Sequence, residues 1–514
     1  MKGFWADQIA SQAIGDQVVN DAKTPSGRVH VGALRGVLIH DIIYKALVDE
    51  GKKAQYIYGS DDYDPMDSLP NYLSKEKYDA YMGMPLSEIP SPDGSNSSYA
   101  DYYFEEFREV FESLGAKPSV YRTSELYKKG KFNDAIRLTL ENSQKIREVY
   151  KKVSGSEKGA QWLPLNVVCE QCHKLGCTRV TAFDGKLVEY SCLPDYVKWA
   201  KGCGYSGKKS PFDGGGKLPY KVEWPAKWMI FNVTIEGAGK DHSTKGGTRD
   251  VSTLIYEEVY KRKAPFNLPY EFFLFGGKKM SSSKGVGVTA KEISSSLPSD
   301  LLRFLVSRFK PQTAIDFNPE GDKIPRLYDD WDKFARVYFK KEESRDPDVP
   351  RIFELSQTSG KKPKDFFRPP FSFVAFIAQV PSVNLQQAIE KYKGSKLTEE
   401  EKIELETRAT YAKIWLEKFA SEDDKISLAE NPDWTTISPE AKKSLQEFSK
   451  SLGLTQEEQG DKIRQLCAEN NVSITDFYQA AYQVLINKKK GPKLIPFINA
   501  LDREMVVKRL SGQA

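Results

Sequence analysis

The sequence predicts an open α/β sheet domain, interrupted by a small cysteine-rich insertion and followed by an all-α C-terminal region. Three observations indicate this fold class: an apolar helix and strand near the N-terminus, a cysteine cluster in the middle of the chain, and helical periodicity in the C-terminal part. With 514 residues, the chain exceeds what one hydrophobic core usually organises, so about three domains are expected.

The first part of the α/β domain is predicted to cover residues 1–164. Apolar residues between Val37 and Val48 have the spacing of a mostly buried helix. Residues 54–58 are predicted to form a strand that ends in the acidic turn 59–65. A helix followed by a strand with a polar end is typical of an open α/β sheet, in which ligands bind at the strand ends.

The cysteine-rich insertion is predicted to cover residues 165–218, and the second part of the α/β domain residues 219–298. Five of the six cysteines lie between Cys169 and Cys203. In a large chain such a cluster indicates metal binding rather than disulfides. Two pairs of thiolates predict a closed structural zinc site, with the ligands Cys169, Cys172, Cys192 and Cys203. Cys177 and His173 are alternative ligands, and a metal-free insertion with buried cysteines is the other possibility.

The region from residue 299 onward is predicted to be helical, with a connecting domain at 299–385 and a further helical domain at 386–514. Apolar residues recur at helical spacing from Ile324 to Tyr338. Thr398 and Glu401 form a capping box, and Ser438 precedes a proline at the first helical position.

The bulk composition excludes a membrane-spanning protein. Hydrophobic residues make up 39% of the chain and charged residues 29%, and no run of about 18 uncharged apolar residues occurs. The N-terminus has charges and no long apolar core, so it is not a secretory signal. A cytoplasmic location and no membrane partner are therefore expected, and a monomer is expected as well. The net charge of +5 does not by itself indicate nucleic-acid binding.

A first motif precedes the N-terminal helix. Its glycines let a nucleotide approach the backbone, the helix N-terminus favours phosphate, and a histidine there can donate a hydrogen bond to phosphate oxygens. The predicted nucleotide-binding residues are Thr24, Pro25, Ser26, Gly27, His30 and Gly32. An ordinary strand–loop–helix connection is the alternative.

A second motif is a loop in which small hydroxyl residues stand between lysines. Its lysines can stabilise the charge that develops on the α-phosphate and on pyrophosphate during adenylate formation. The residues are Lys279, Met280, Ser281, Ser282, Ser283 and Lys284. Alone, such a loop is common and usually only flexible.

The two motifs, in this order and about 250 residues apart, resemble the paired signatures of class I aminoacyl-tRNA synthetases. In that family both loops flank ATP on a Rossmann-type sheet. The resemblance implies that the catalytic residues are His30, Gly32, Lys279 and Lys284. Ala33 stands where many members have a polar residue, and Ser282 replaces a frequent lysine. These departures leave open which side chains bind the γ-phosphate.

Further segments are similar to those of the lysyl-tRNA synthetases of class I, from about Trp5 to Arg509. They lie at 25–27, 60–65, 221–228 and 239–242, and in the helical tail with Arg503. The resemblance implies that the chain activates L-lysine with ATP, accompanied by Mg²⁺, and transfers it to the 3' end of lysine tRNA. It also implies that the helical region binds the anticodon.

A lysine substrate needs a carboxylate for its ammonium group and aromatic walls for its alkyl stem. The lysine-binding candidates are Asp61, Asp62, Asp64, Trp228, Gly239, Asp241 and His242. For Asp62 and Asp64 the alternative is a turn cap, and for Trp228 it is a place in the core.

Four lysines near the C-terminus are predicted to contact tRNA phosphates: Lys488, Lys489, Lys490 and Lys493. The alternative is a solvated helix end.

Three other functions are alternatives for this sequence: a class I synthetase for another amino acid such as glutamate, a small nucleotidylyltransferase, and an inactive tRNA-binding paralogue. The second motif and the helical tail argue against the nucleotidylyltransferase. His30 and Lys279 together argue against the inactive paralogue.

Overall fold

The computed structural model describes residues 3–95, 97–282, 285 and 287–513. The chain forms two compact units. The first comprises Met1–Ser295, Leu302–Phe317 and Arg345–Lys362, and the second Ser296–Leu301, Asn318–Ser344 and Pro363–Ala514. No described helix is both long enough and apolar enough to cross a membrane.

The strands are β1 (Gln17–Lys23), β2 (Ala54–Ser60), β3 (Ser119–Arg122), β4 (Asn166–Val167), β5 (Thr178–Phe183), β6 (Val188–Cys192), β7 (Ser206–Lys209), β8 (Gly216–Lys217), β9 (Ala238–Gly239), β10 (Pro269–Tyr270), β11 (Phe273–Leu274) and β12 (Ile315–Asp316). The helices up to residue 300 are α1 (Trp5–Gln12), α2 (Leu34–Asp49), α3 (Lys75–Tyr78), α4 (Tyr99–Ser113), α5 (Thr123–Lys128), α6 (Asn133–Glu141), α7 (Ser143–Ser154), α8 (Tyr220–Phe231), α9 (Lys240–Ser243), α10 (Thr248–Glu258) and α11 (Ala290–Ser294).

A parallel sheet with the strand order β1-β2-β3 is the scaffold of the first unit. Single parallel bridges extend it from Val19 to Ile235 and from Ile235 to Phe266. Helix α2 connects β1 to β2 and is buried along most of its length, as expected of a crossover helix in a parallel sheet. The predicted helix and strand are therefore confirmed, and the carboxyl ends of β1 and β2 lie at the same edge.

The cysteine-rich segment is a small β structure. Strands β5, β6 and β7 form an antiparallel sheet, and β4 pairs with β8. Buried and exposed residues alternate along β5 and β6, which is typical of a sheet with one covered face.

The remaining helices are α12 (Ser299–Ser307), α13 (Lys323–Tyr338), α14 (Val349–Leu355), α15 (Phe371–Ile377), α16 (Leu385–Lys393), α17 (Glu399–Lys418), α18 (Pro439–Ser449), α19 (Gln456–Glu469), α20 (Ile474–Ile486), α21 (Leu494–Ala500) and α22 (Arg503–Ser511). The capping box before α17 and the serine cap before α18 are present as predicted. Apolar side chains of the helices from α15 to α22 form a core in the second unit.

The compact units do not follow the predicted boundary at residue 299, because residues 302–317 and 345–362 belong to the first unit. Arg303 explains part of this difference, since its buried guanidinium forms an ion pair with Asp41 at 2.6 Å. It also donates to the carbonyl of Leu114 at 3.0 Å. The division into functional domains stays a prediction.

Candidate active site

A cleft of about 810 Å³ opens at the carboxyl ends of β1 and β2 in the first unit. Eleven of the residues predicted for ATP or lysine line it: Thr24, Ser26, His30, Gly32, Asp61, Asp64, Gly239, Asp241, His242, Lys279 and Met280. Ser283 and Lys284 lie outside the described residues. Segments far apart in the sequence therefore meet at one place, which the strand topology makes possible.

The two loops that carry the paired motifs are joined by hydrogen bonds. His30 and Thr289 form an antiparallel bridge. The backbone N–H of His30 donates to Oγ of Ser282 at 3.0 Å. A side chain at Gly32 would place its Cβ 2.9 Å from Nδ1 of His30 and 3.1 Å from the carbonyl oxygen of Phe273, so it would displace the imidazole from its present position.

His30 is a neutral imidazole at physiological pH. Burial, together with the positive charges of Lys23 and Lys279, lowers its pKa to about 3. Its Nδ1 is buried and has no hydrogen-bond partner among the described residues. A neutral imidazole at this place can donate a hydrogen bond from its one N–H group to a phosphate oxygen.

Lys279 reaches across the cleft from the second loop. Its Nζ lies 3.0 Å from Oδ2 of Asp241 and 4.5 Å from the ring centre of Phe272. The ammonium and the carboxylate are both partly exposed, so their pairing is weak and can be exchanged for another anion.

The three aspartates after β2 have different environments. Asp61 contacts Nζ of Lys227 and accepts a hydrogen bond from Thr123 at 2.9 Å. Asp64 lies 2.8 Å from Nζ of Lys217 and accepts from Oγ1 of Thr24 at 2.7 Å. These contacts place both carboxylates at the wall of the cleft.

Asp62 is bound to a helix N-terminus instead. Its carboxylate accepts from the backbone N–H of Ser124 at 2.7 Å and from the hydroxyl of that serine at 2.5 Å. Asp62 is buried and is not among the residues that line the cleft. Asp62 therefore caps the start of α5, as the turn-cap alternative for this residue describes.

Glu236 is a cleft residue that the sequence analysis missed. It is 3% exposed, and its two oxygens accept from the indole N–H groups of Trp224 at 2.7 Å and Trp228 at 2.6 Å. Burial raises its pKa, an effect that Arg249 and the indole groups partly oppose. Glu236 forms no direct ion pair with a described residue, so Arg249 compensates its negative charge only in part. The signal for it was a lone acid in the apolar run 233–238.

Aromatic rings form the wall beside Glu236. The ring centre of Trp224 lies 5.6 Å from that of Tyr220 and 5.9 Å from that of His242. All three residues line the cleft. Trp228 is 0% exposed and packs behind them, under the guanidinium of Arg249 at 4.4 Å. Trp228 therefore supports Glu236 rather than lining the cleft.

The predicted metal ligands form one group in the structure. The sulfurs of Cys169, Cys172, Cys192 and Cys203 all lie within 4.8 Å of one another. Two of the pairs are 3.6 Å apart. Cys177 and His173, the alternative ligands, are not in this group.

The four C-terminal lysines lie between α20 and α21, at a helix end and turn. Lys489, Lys490 and Lys493 are exposed. Lys488 is half-buried and donates to the carbonyl of Glu422.

Comparison with known proteins agrees with this geometry. The family model described as tRNA synthetases class I (K) matches residues 3–359, and the model described as anticodon binding domain matches residues 409–514. A lysine–tRNA ligase of Methanocaldococcus jannaschii is 35% identical, with 99% of each chain covered. Another, of Methanococcus maripaludis, is 34% identical with the same coverage.

A solved structure of a glutamate tRNA ligase from Elizabethkingia meningosepticum matches with a TM-score of 0.41 at 13% identity, covering 97% of this chain and 99% of that one. This likeness is too low to carry an argument. The family model covers more than half of the chain, and the relatives match it over nearly its whole length. The chain therefore belongs to the class I tRNA synthetases of the lysine type, with an anticodon-binding domain at its C-terminal end.

Proposed function

We infer that this protein activates L-lysine with ATP and transfers the lysyl group to lysine tRNA. The observation that carries this conclusion is a single cleft that two kinds of residues line. Its lining includes the two loops suited to a triphosphate, and also aromatic walls and the buried carboxylate of Glu236. The relatives described above are lysine–tRNA ligases. The activity implies ATP with Mg²⁺ as a substrate complex.

The triphosphate is proposed to bind between the two loops, at His30 and Lys279. In the first step, the lysine carboxylate attacks the α-phosphorus, and the bond to pyrophosphate breaks. Neutral His30 donates to a phosphate oxygen, and Lys279 leaves Asp241 to follow the charge that develops on the leaving group. Ser281 and Ser282 contribute hydroxyl groups to the same loop, and Ser282 fixes it against His30.

The side chain of the substrate is proposed to extend toward Glu236. Its alkyl stem packs against Tyr220, Trp224 and His242, and its ε-ammonium ion pairs with Glu236. Asp61 and Asp64 each already contact a lysine of the protein. Glu236 is thus better suited to a side-chain ammonium than either aspartate.

The second step follows in the same cleft. The terminal ribose hydroxyl of the tRNA attacks the carbonyl carbon of the adenylate, and AMP leaves with the electron pair of the broken bond. A charging assay with lysine tRNA and each amino acid tests this function. Lysine alone should be transferred, and charging with glutamate in place of lysine would reject the proposal.

The cysteine group is proposed to bind one structural zinc ion. In a tetrahedral site with Zn–S bonds of about 2.3 Å, neighbouring sulfurs lie about 3.8 Å apart, close to the 3.6 Å separations of two pairs here. Four protein ligands leave no position for water, so the ion would support the fold of the insertion and take no part in the reaction.

Elemental analysis should find about one zinc per chain, the number that a closed structural site requires. Cys172→Ser should lose zinc and lower the stability of the insertion more than it slows ATP–pyrophosphate exchange. The matched control is Cys177→Ser, a buried cysteine outside the group, which should retain the metal. Zinc-free native protein with freely titratable thiols would refute the assignment.

The four C-terminal lysines are proposed to contact the phosphates of tRNA without reading its bases. Replacing all four by glutamine should raise the KM for tRNA. It should also reduce the slope of log binding constant against log salt concentration by up to about 3. Lysine activation should stay unchanged. Measuring tRNA charging at two salt concentrations decides this, since an unchanged salt dependence would identify the lysines as a solvated helix end.

A further inference from the structure

A buried chain of five alternating charges lies at the wall of the cleft. Glu223 is at its centre: Oε2 lies 2.6 Å from Nζ of Lys217, and Oε1 lies 3.2 Å from Nζ of Lys227. Lys217 in turn contacts Asp64 at 2.8 Å, and Lys227 contacts Asp61. The two cleft aspartates are therefore linked through one shared carboxylate.

The surroundings of Glu223 fix its position. It is 1% exposed and lies on α8, one turn before Lys227. The hydroxyl of Tyr127 donates to its Oε2 at 2.7 Å and accepts from the backbone N–H of Leu218 at 3.1 Å. Glu223 itself does not line the cleft, whereas both lysines and both aspartates do. It reaches the lining of the cleft through its contacts with Lys217 and Lys227.

The charges of the five groups do not cancel. Burial would lower the pKa of Lys217 and Lys227, but the neighbouring carboxylates outweigh it, so both lysines remain charged. Three carboxylates against two ammonium groups leave one negative charge when all are ionised. Burial raises the pKa of Asp61, and one further cation at this place would balance the remaining negative charge.

The position of the excess charge indicates which cation this is. Thr24 belongs to the first loop, and its hydroxyl donates to Asp64 at 2.7 Å. Asp64 thus lies beside the loop where the reacting carboxylate of the amino acid is proposed to meet ATP, whereas Glu236 lies against the indole rings of Trp224 and Trp228. The α-ammonium group is the cation attached to the carbon next to that carboxylate.

We propose that Glu223 is a positioning residue: by holding Lys217 and Lys227, it orients Asp61 and Asp64 to receive the α-ammonium group of the amino acid. This rests on the proposed function, because it assigns the second ammonium group of the same substrate. The site thus distinguishes the two ammonium groups of lysine. Glu236 binds the ε-ammonium group, and the chain of charges around Glu223 binds the α-ammonium group.

The test compares two analogues as inhibitors of lysine-dependent exchange: 6-aminohexanoate, which lacks the α-amino group, and norleucine, which lacks the ε-amino group. Glu223→Gln should weaken lysine binding by about 10- to 100-fold, the effect of losing one charge-assisted hydrogen bond. It should leave the inhibition constant of 6-aminohexanoate nearly unchanged, because that analogue makes no α-ammonium contact. Norleucine inhibition should weaken in parallel with lysine.

Two variants separate this role from a loss of fold. Asp41→Asn removes another buried carboxylate, one that lies outside the cleft and pairs with Lys45 and Arg303. It should lower stability without changing the affinity ratio of lysine to 6-aminohexanoate. Glu236→Gln should show the opposite pattern to Glu223→Gln. It should weaken the binding of lysine and of 6-aminohexanoate, and it should leave the inhibition constant of norleucine nearly unchanged. If Glu223→Gln weakens the binding of lysine and of 6-aminohexanoate equally, or weakens neither, the proposal is overturned. Lysine activation by the parent protein tests the proposed function independently.

Discussion

Replacing His30 or Lys279 by alanine is expected to slow lysine-dependent ATP–pyrophosphate exchange by about 100-fold or more, the scale of one lost transition-state contact. His30 has a buried, unpartnered Nδ1 beside the second loop, and Lys279 has only a weak partner in Asp241. Both groups are therefore available to a triphosphate. The measurement is the initial rate of exchange at saturating lysine and ATP.

Lys240→Ala is the matched control for Lys279. Lys240 is exposed, precedes Asp241 directly, and pairs with Glu271 at 2.7 Å. Its replacement should leave the exchange rate unchanged. Because the pKa of His30 is lowered to about 3, protonation of this histidine should cause no loss of activity between pH 8 and pH 5. Rates in the alanine variants equal to those of the parent would show that the two loops do not bind ATP.

Replacing Glu236 by glutamine is expected to raise the KM for lysine by about 30-fold or more, because truncating one partner of a buried charge pair costs about 2–5 kcal/mol. The amide keeps the size of the side chain but removes the negative charge. The KM for ATP should change little. Glu258→Gln, at the end of α10 and paired with Lys152 across 3.7 Å, is a control that removes an acid outside the cleft.

The same carboxylate predicts a pH dependence. Burial raises the pKa of Glu236 above the usual range of a glutamate in the free enzyme. The ionised form binds the ε-ammonium, so the KM for lysine should fall as pH rises through this pKa and should then level off. In Glu236→Gln this fall should be absent. An equal pH dependence in parent and variant would assign the titration to another group.

The fold was predictable from the sequence where local patterns dominate. The buried helix α2, the strand β2, and the caps of α17 and α18 depend on the spacing of nearby residues, and all are confirmed. The boundary at residue 299 was not predictable in this way. In the sequence, Arg303 looks like an ordinary residue of a helix. Its buried contacts with Asp41 and Leu114, which are distant in the sequence, connect it to the first unit.

The site was predictable where chemistry coincides with a motif. His30 and Lys279 were identified from their loops, and the structure brings both to one cleft. Glu236 was missed because a single acid in an apolar run has no motif, and its role depends on indole groups from α8. Asp62 and Asp64 look equivalent in sequence. Long-range contacts, Ser124 for one and Lys217 for the other, make them different.

The amino acid that drives ATP–pyrophosphate exchange tests the central claim most directly. The full chain is assayed with each of the standard amino acids, in the presence and in the absence of lysine tRNA. Because Glu236 gives the aromatic end of the cleft a negative charge, lysine should drive exchange, and glutamate and norleucine should not. Exchange driven by glutamate would contradict the assignment of this cleft to lysine. So would a rate with lysine that, both with and without tRNA, is no faster than the rate without any amino acid.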